Sequence, residues 1–218
     1  MLAAVSLEQE RLNLLQGHVA LALEHLEHLT VDGEPLTTER EALRAWAYAL
    51  AAKGDRAVEI ALAAGANLPK PDRDRGGETL ETLLTAFFDA GRLDLALDGL
   101  TSFFAFDDKS PETAPPSAVP ILVAAGQLDV AEKVVASGRR SEDTGVSRRL
   151  VVSLGENRLR LARGEFASIA ADLVLAQEEA VAIGALLSAS LARLIEVEAR
   201  LLIGCAPDER ETGRFGEI

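Results

Sequence analysis

The three histidines of the chain, His18, His25 and His28, lie close together near the N-terminus. His25 and His28 are three residues apart and have Glu24 and Glu27 beside them, and zinc accepts imidazole and carboxylate ligands. The apolar side chains of this predicted helix occupy other positions. The histidines therefore lie on the flank of its apolar face or in solvent. We therefore predict no metal site, and the sequence implies no cofactor.

A catalytic cysteine needs a base oriented beside it. The single cysteine, Cys205, lies near the C-terminus, whereas all three histidines lie at the other end of the sequence. Acidic clusters occur at residues 72–75, 107–108 and 178–179. These are typical of solvated loop or helix charges rather than of the opposed carboxylates that hydrolysis requires. The sequence therefore predicts a protein that is not an enzyme, with no catalytic residues.

The charge of the chain excludes several classes of partner. With 35 acidic and 22 basic side chains among 218 residues, the formal net charge is −13. Such a surface repels phosphate groups, so we expect no nucleic-acid partner for this segment and no membrane partner. The uncharged stretches are too short to span a bilayer. One cysteine permits no internal disulfide, which fits a soluble protein of the reducing cytoplasm.

A short phrase recurs along the chain and indicates its architecture. Residues 90–97 read AGRLDLAL and residues 125–131 read AGQLDVA, and glycines recur at positions 17, 54, 91, 126, 164 and 204. Intervals of 35 to 40 residues are typical of stacked helical repeats. Apolar residues follow helical spacing without strand-like alternation. We predict an all-α protein of about eleven helices, arranged as an α-solenoid of about five helix-turn-helix repeats plus a terminal helix. The whole chain, 1–218, is predicted to form a single domain with turns near these glycines.

Two local features refine this prediction. Thr38 followed by Glu41 has the spacing of a capping box, which predicts a helix start at that point. Asn157 interrupts the apolar stripe between Leu154 and Leu161, where a buried amide would need hydrogen-bond partners. We favour a solvent-exposed position for Asn157, with a buried, partnered amide as the alternative.

The pattern resembles the tetratricopeptide repeat family, in which apolar residues on a first helix precede a turn glycine, a large apolar residue and a small residue. The residues that follow this spacing most closely are Leu80, Leu83, Phe87, Gly91, Leu93, Ala96, Leu100 and Phe103. The long period is similar to that of the divergent repeats in bacterial transcriptional activators of the maltose-regulator type. The resemblance implies a right-handed superhelix whose concave groove is lined by the first helix of each repeat.

The resemblance also implies a function in binding. Polar positions on the first helices would contact a partner, and these are Arg44, Tyr48, Glu81, Thr85, Asn157 and Arg158. The sequence lacks the Lys/Asn/Arg set with which some members of the family hold a peptide carboxylate. We expect a non-catalytic scaffold that binds a protein or peptide segment, as the repeat module of a bacterial regulator. The alternative is a repeat domain that senses a small effector. A homodimer formed through the terminal helices is a further possible assembly.

Overall fold

The structure, a computed structural model, describes residues 2–66, 77–104, 106, 110, 113–140 and 146–203. All regular structure in these ranges is helical, which confirms the predicted all-α class. Within the described ranges, a short 3-10 helix, Pro116–Ala118, directly precedes the seventh of eleven α-helices. The α-helices are α1 (Leu2–Leu15), α2 (Val19–His28), α3 (Glu34–Leu50), α4 (Gly54–Ala66), α5 (Gly77–Asp89), α6 (Leu93–Phe104), α7 (Val119–Ala124), α8 (Leu128–Arg140), α9 (Val146–Ala162), α10 (Phe166–Ala182) and α11 (Leu186–Leu202).

The helices form where apolar residues recur every three or four positions and so share a face. In α5 this spacing buries Leu80, Leu83 and Phe87 together. Small residues lie where neighbouring helices approach most closely, and Ala22 and Ala96 are completely buried. The Ala and Leu residues that favour helix formation therefore also form the core.

One turn geometry joins successive helices. Gly91 has a left-handed backbone (φ 77°), and the N–H of Arg92 donates to the carbonyl of Phe87 five residues earlier, at 2.9 Å. This pair of features defines the Schellman motif, which satisfies the free carbonyl groups at a helix end. Gly17, Gly126 and Gly164 have the same geometry. Four of the six glycines singled out in the sequence thus end a helix, while Gly204 lies outside the described residues.

Gly54 has a different role from the one predicted for it. It begins α4, and the left-handed residue of the turn between α3 and α4 is Ala52 (φ 57°). A Cβ atom at position 54 would lie 3.2 Å from the carbonyl oxygen of Ala90, in the turn of the next hairpin. The glycine here allows two hairpins to approach each other rather than allowing the chain to turn.

The predicted capping box at Thr38 and Glu41 is wrong. Helix α3 begins earlier, at Glu34, because Gly33 precedes it and Pro35 fits the first turn of a helix. Thr38 lies inside this helix, where its hydroxyl group donates to the carbonyl of Glu34 at 3.0 Å.

The helices pack in a simple order. Each odd-numbered helix from α1 to α9 packs against the helix that follows it in the chain, and α3 also packs against α1 and α5. Helix α9 contacts both α7 and α11, and α11 contacts α1. One group of buried apolar residues extends from α1 to α9 and a second from α9 to α11. The odd-numbered helices α1, α3, α5 and α9 are thereby brought around a common space.

Large exposed apolar side chains are frequent on the last two helices. Leu175 on α10 and Leu194 and Leu201 on α11 are each about 60% exposed. Among the helices that the structure describes, none combines the length and apolar character needed to cross a membrane.

Candidate functional site

A cavity of about 690 Å³ lies between the odd-numbered helices, and we refer to it as the odd-helix cavity. Its lining comes from α1, α3, α5, α9 and the 3-10 helix before α7. The lining residues are Glu8, Arg11, Leu12, Leu15, Trp46, Glu78, Glu81, Thr82, Thr85, Pro116, Ser117, Arg148 and Val151. Residues far apart in the sequence thus share one mixed polar and apolar surface.

Arg11 ties three of these helices together. From α1, its guanidinium group donates to Thr82 Oγ1 on α5 and to Glu39 Oε1 on α3, each at 3.2 Å. Its Nη2 is 3.8 Å from Glu78, and its Nε is 3.4 Å from Glu8 without the geometry of a hydrogen bond. Only 16% of this side chain is exposed. One cation is therefore shared by three carboxylates at the edge of the cavity.

Glu81 places a carboxyl group in the cavity wall. The hydroxyl group of Ser117 donates to Glu81 Oε2 at 2.6 Å and so connects α5 with the 3-10 helix. Burial raises the pKa of Glu81 above its ordinary value, because desolvation outweighs the hydrogen bond from Ser117 and the positive charge of Arg148. This carboxylate is less well stabilised than one in water.

Trp46 and Asp89 form a second polar pair on the same side of α3 and α5. The indole Nε1 of Trp46 donates to Asp89 Oδ2 at 3.0 Å. Desolvation raises the pKa of Asp89, and the Trp46 hydrogen bond and the charge of Arg158 oppose this rise. A large part of Asp89 remains in contact with solvent, so its pKa rises less than that of a carboxyl group sealed in a core.

The structure divides the predicted partner-binding residues into two groups. Glu81 and Thr85 line the odd-helix cavity, and Arg158 lies close enough to influence the charge of Asp89. Arg44 instead pairs with Glu41 on its own helix, at 2.7 Å.

Tyr48 also lies outside the cavity lining. Its hydroxyl group donates to Glu27 on α2, and this contact raises the pKa of Tyr48. The ammonium group of Lys53 lies 5.5 Å from the centre of the same ring. Tyr48 therefore belongs to the packing between α2 and α3 rather than to the cavity.

Asn157 is buried, so the solvent-exposed position that we favoured from the sequence is wrong. Only 2% of the residue is exposed. Its amide group donates to the carbonyl of Ser153 one turn earlier, at 3.0 Å, and its Oδ1 has no hydrogen-bond partner. An internal bond to the preceding turn satisfies part of the amide without bringing Asn157 into the cavity.

Eleven of the thirteen lining residues were not predicted, and Arg11, Trp46, Ser117 and Arg148 are among them. The side chain of Trp46 is mostly buried, and its indole nitrogen donates to Asp89. Ser117 follows two prolines, and nothing in its local sequence pointed to the cavity. The one signal that could have pointed to Arg11 is that it is the single basic residue of α1.

The candidate metal ligands occupy separate positions. His25 Nδ1 lies 3.1 Å from Glu10 Oε1, and Glu10 also accepts from Asn13 at 2.9 Å. His18 and His28 are exposed. Within the described part of the chain, no group of three or more His, Cys, Asp and Glu side chains is placed to hold a metal ion.

The remaining candidates for chemistry are Cys205 and the three acidic clusters. Cys205 and the acidic clusters at 72–75 and 107–108 lie outside the described residues. Glu179, from the third cluster, forms an ion pair of 3.5 Å with Arg149, which is the solvated helix charge that the sequence predicted.

Comparison with known proteins adds no relative. No protein-family model matches the chain, and no significant match is found among curated proteins or solved structures. What the fold and the cavity define is therefore an all-helical protein with a polar and apolar cavity among its odd-numbered helices.

Proposed function

We propose that this chain is a non-catalytic interaction module of the tetratricopeptide-repeat type. In this proposal α1 to α10 form five hairpins of a right-handed α-solenoid, and α11 is the terminal helix. The odd-numbered helices line the concave surface, and a segment of a partner protein binds there. From the resemblance to bacterial maltose-regulator repeats we infer that such a module belongs to a cytoplasmic regulator.

The recurrence of one turn geometry supports the repeat arrangement. Left-handed residues lie at positions 17, 52, 91, 126, 164 and 184, and each is followed by an N–H that donates to the carbonyl five residues earlier. The first five join the two helices of each proposed hairpin and are 35 to 39 residues apart, whereas Gly184 joins α10 to α11. Stacked repeats build a continuous concave surface from equivalent helices, and they use it for binding.

The observation that carries the proposal is the composition of the odd-helix cavity. Its polar side chains come from α1, α5, α9 and the 3-10 helix, and Trp46 comes from α3. A close-packed protein interior leaves few spaces of this size, and it buries charges only when they are paired. A binding surface combines apolar walls with a few polar groups that fix orientation.

Blocking the cavity tests the proposal. Peptides selected from a random displayed library for binding to the full chain should lose about tenfold or more of their affinity for Thr85→Trp, because the ring occupies the cavity. Thr101→Trp is the matched control, since Thr101 lies on α6 outside the cavity. Both threonine hydroxyl groups donate to the carbonyl four residues earlier.

Fluorescence anisotropy of the labelled peptides measures both affinities, and circular dichroism checks that both variants remain folded. Segments that bind Thr85→Trp as tightly as the original chain would place the binding surface elsewhere. A failure to select any segment would also contradict the proposal.

The size of the cavity favours a second candidate function. A volume of about 690 Å³ lies within the range of small-molecule sites. A domain that senses a small effector should gain thermal stability from a metabolite, and Thr85→Trp should remove that gain while Thr101→Trp keeps it.

A further inference from the structure

Carboxyl groups and apolar side chains come from different residues of the odd-helix cavity. Glu8, Glu78 and Glu81 present carboxyl groups, whereas Leu12 and Leu15 on α1 present apolar surface. Pro116 and Val151 add apolar surface from the 3-10 helix and α9. A ligand that matches this lining has a charged or strongly polar head and an extended hydrocarbon part.

The positive charges of the cavity are already engaged. Arg11 is shared between Glu8, Glu39 and Glu78, and it also donates to Thr82. Arg148 exerts its charge on Glu81. With three carboxylates and two guanidinium groups in the lining, the cavity has an excess of negative charge, as does the whole chain. An anionic ligand would have to displace these internal pairs.

The carboxylates retain capacity for a further donor. A carboxylate offers about four acceptor positions, and Ser117 occupies one on Glu81. The side chain of Glu78 is 82% exposed and lies 3.8 Å from Arg11, beyond hydrogen-bond distance. Desolvation raises the pKa of Glu81, and the positive charge of a bound cation would oppose this rise by favouring the carboxylate.

We propose that the odd-helix cavity binds an arginine or lysine side chain of the partner segment. Glu78 and Glu81 accept hydrogen bonds from its charged head, and Leu12 and Leu15 contact its alkyl stem, which such side chains bury readily. This inference rests on the proposed function and adds the chemistry of the segment that is bound.

The chain carries its own reporter for this site, because its single tryptophan, Trp46, lines the cavity. The probes are the capped pentapeptide Ala-Leu-Arg-Leu-Ala and the same peptide with citrulline, which replaces the guanidinium group by a neutral urea of similar shape. A titration followed by Trp46 emission should show the arginine peptide binding about tenfold more tightly, the difference expected from a charge-assisted hydrogen bond.

Two variants separate a specific site from general attraction to an acidic protein. Glu81→Gln should weaken the arginine peptide about tenfold and leave the citrulline peptide within twofold. Glu24→Gln, at an exposed position on α2, removes the same charge outside the cavity and should change neither affinity by more than about twofold.

Several outcomes would overturn the inference: equal binding of the two peptides, no binding of the arginine peptide, or equal losses for Glu81→Gln and Glu24→Gln. Agmatine distinguishes a free cation from a side chain of a segment. If agmatine binds as tightly as the arginine peptide, the ligand is a small cation. The inference that the cation is a side chain of a partner segment is then wrong. If selected segments remain sensitive to Thr85→Trp while the arginine peptide fails, the inference falls and the proposed function stands.

Discussion

Ala52 has a backbone conformation that is unfavourable for a residue with a Cβ atom. Among the described residues, it is the non-glycine residue with a positive φ, 57°. It occupies the turn position that glycine holds at 17, 91, 126 and 164. A Cβ atom in the left-handed region contacts the following carbonyl group and costs roughly 1–2 kcal/mol. The turn between α3 and α4 therefore carries local strain that the other hairpins avoid.

Replacing Ala52 by glycine should stabilise the protein. Ala52→Gly removes the strain, and the greater entropy of glycine in the unfolded chain cancels part of the gain, so we expect about 0.5–1 kcal/mol. Urea denaturation of the full chain measures the change. Ala51→Gly is the control, because Ala51 has a negative φ of −80° and glycine there should be destabilising. Equal effects of both substitutions would show that position 52 is not strained.

The turns show what the sequence could and could not predict at the scale of single residues. Gly91 and Gly126 marked their turns because glycine adopts the left-handed region without steric cost. Ala52 gave no such mark, so the nearest glycine, Gly54, was assigned to the turn in its place. Asn157 was misplaced because its partner is a backbone carbonyl, which every helix offers and no side-chain pattern reveals.

At the scale of elements, α11 combines a buried carboxylate with exposed apolar residues. Glu196 is completely buried and lies 2.6 Å from both Arg193 Nη1 and Arg200 Nη2. These arginines lie one turn away on either side of it, on the same helix. The helix thus supplies the counter-charges for its own buried group, as a carboxylate at this depth requires. Leu194 and Leu201 lie on the exposed side of α11.

Removing this carboxylate should destabilise the last helices strongly. Glu196→Ala leaves two mostly buried guanidinium groups without their shared partner, and we expect a loss of about 2–4 kcal/mol in the free energy of unfolding. Glu198→Ala, an exposed position on the same helix, should change stability by less than about 0.5 kcal/mol. Thermal and urea denaturation of the two variants would contradict this account if the losses were similar.

The elements were predictable to different degrees. The helical class and the number of helices followed from apolar spacing, which depends on local sequence alone. The beginning of α3 was predicted too late because Thr38 and Glu41 imitate a capping box, whereas Pro35 fits the first turn directly after Gly33. This segment thus contains two local signals for a helix start. The observed start is the one that is compatible with the packing of α3 between α1 and α5.

At the scale of the whole molecule, the candidate site depends on contacts between distant segments. Glu81 and Thr85 were predicted because they lie on the helix before a recognised turn, and both line the odd-helix cavity. Arg11 and Ser117 joined them only through the placement of α1 and the 3-10 helix beside α5. No periodicity within one helix encodes that placement. A homodimer through the terminal helices stays a prediction.

The most direct test of concave-surface binding is to map where a bound segment lies. A selected peptide carrying a photoreactive benzophenone residue is irradiated in complex with the full chain, and the adducts are located by mass spectrometry. Adducts should concentrate on cavity residues of α1, α3, α5 and α9, such as Leu12, Thr85 and Val151. Adducts concentrated instead on α2, α4, α6 and α8 would contradict the account.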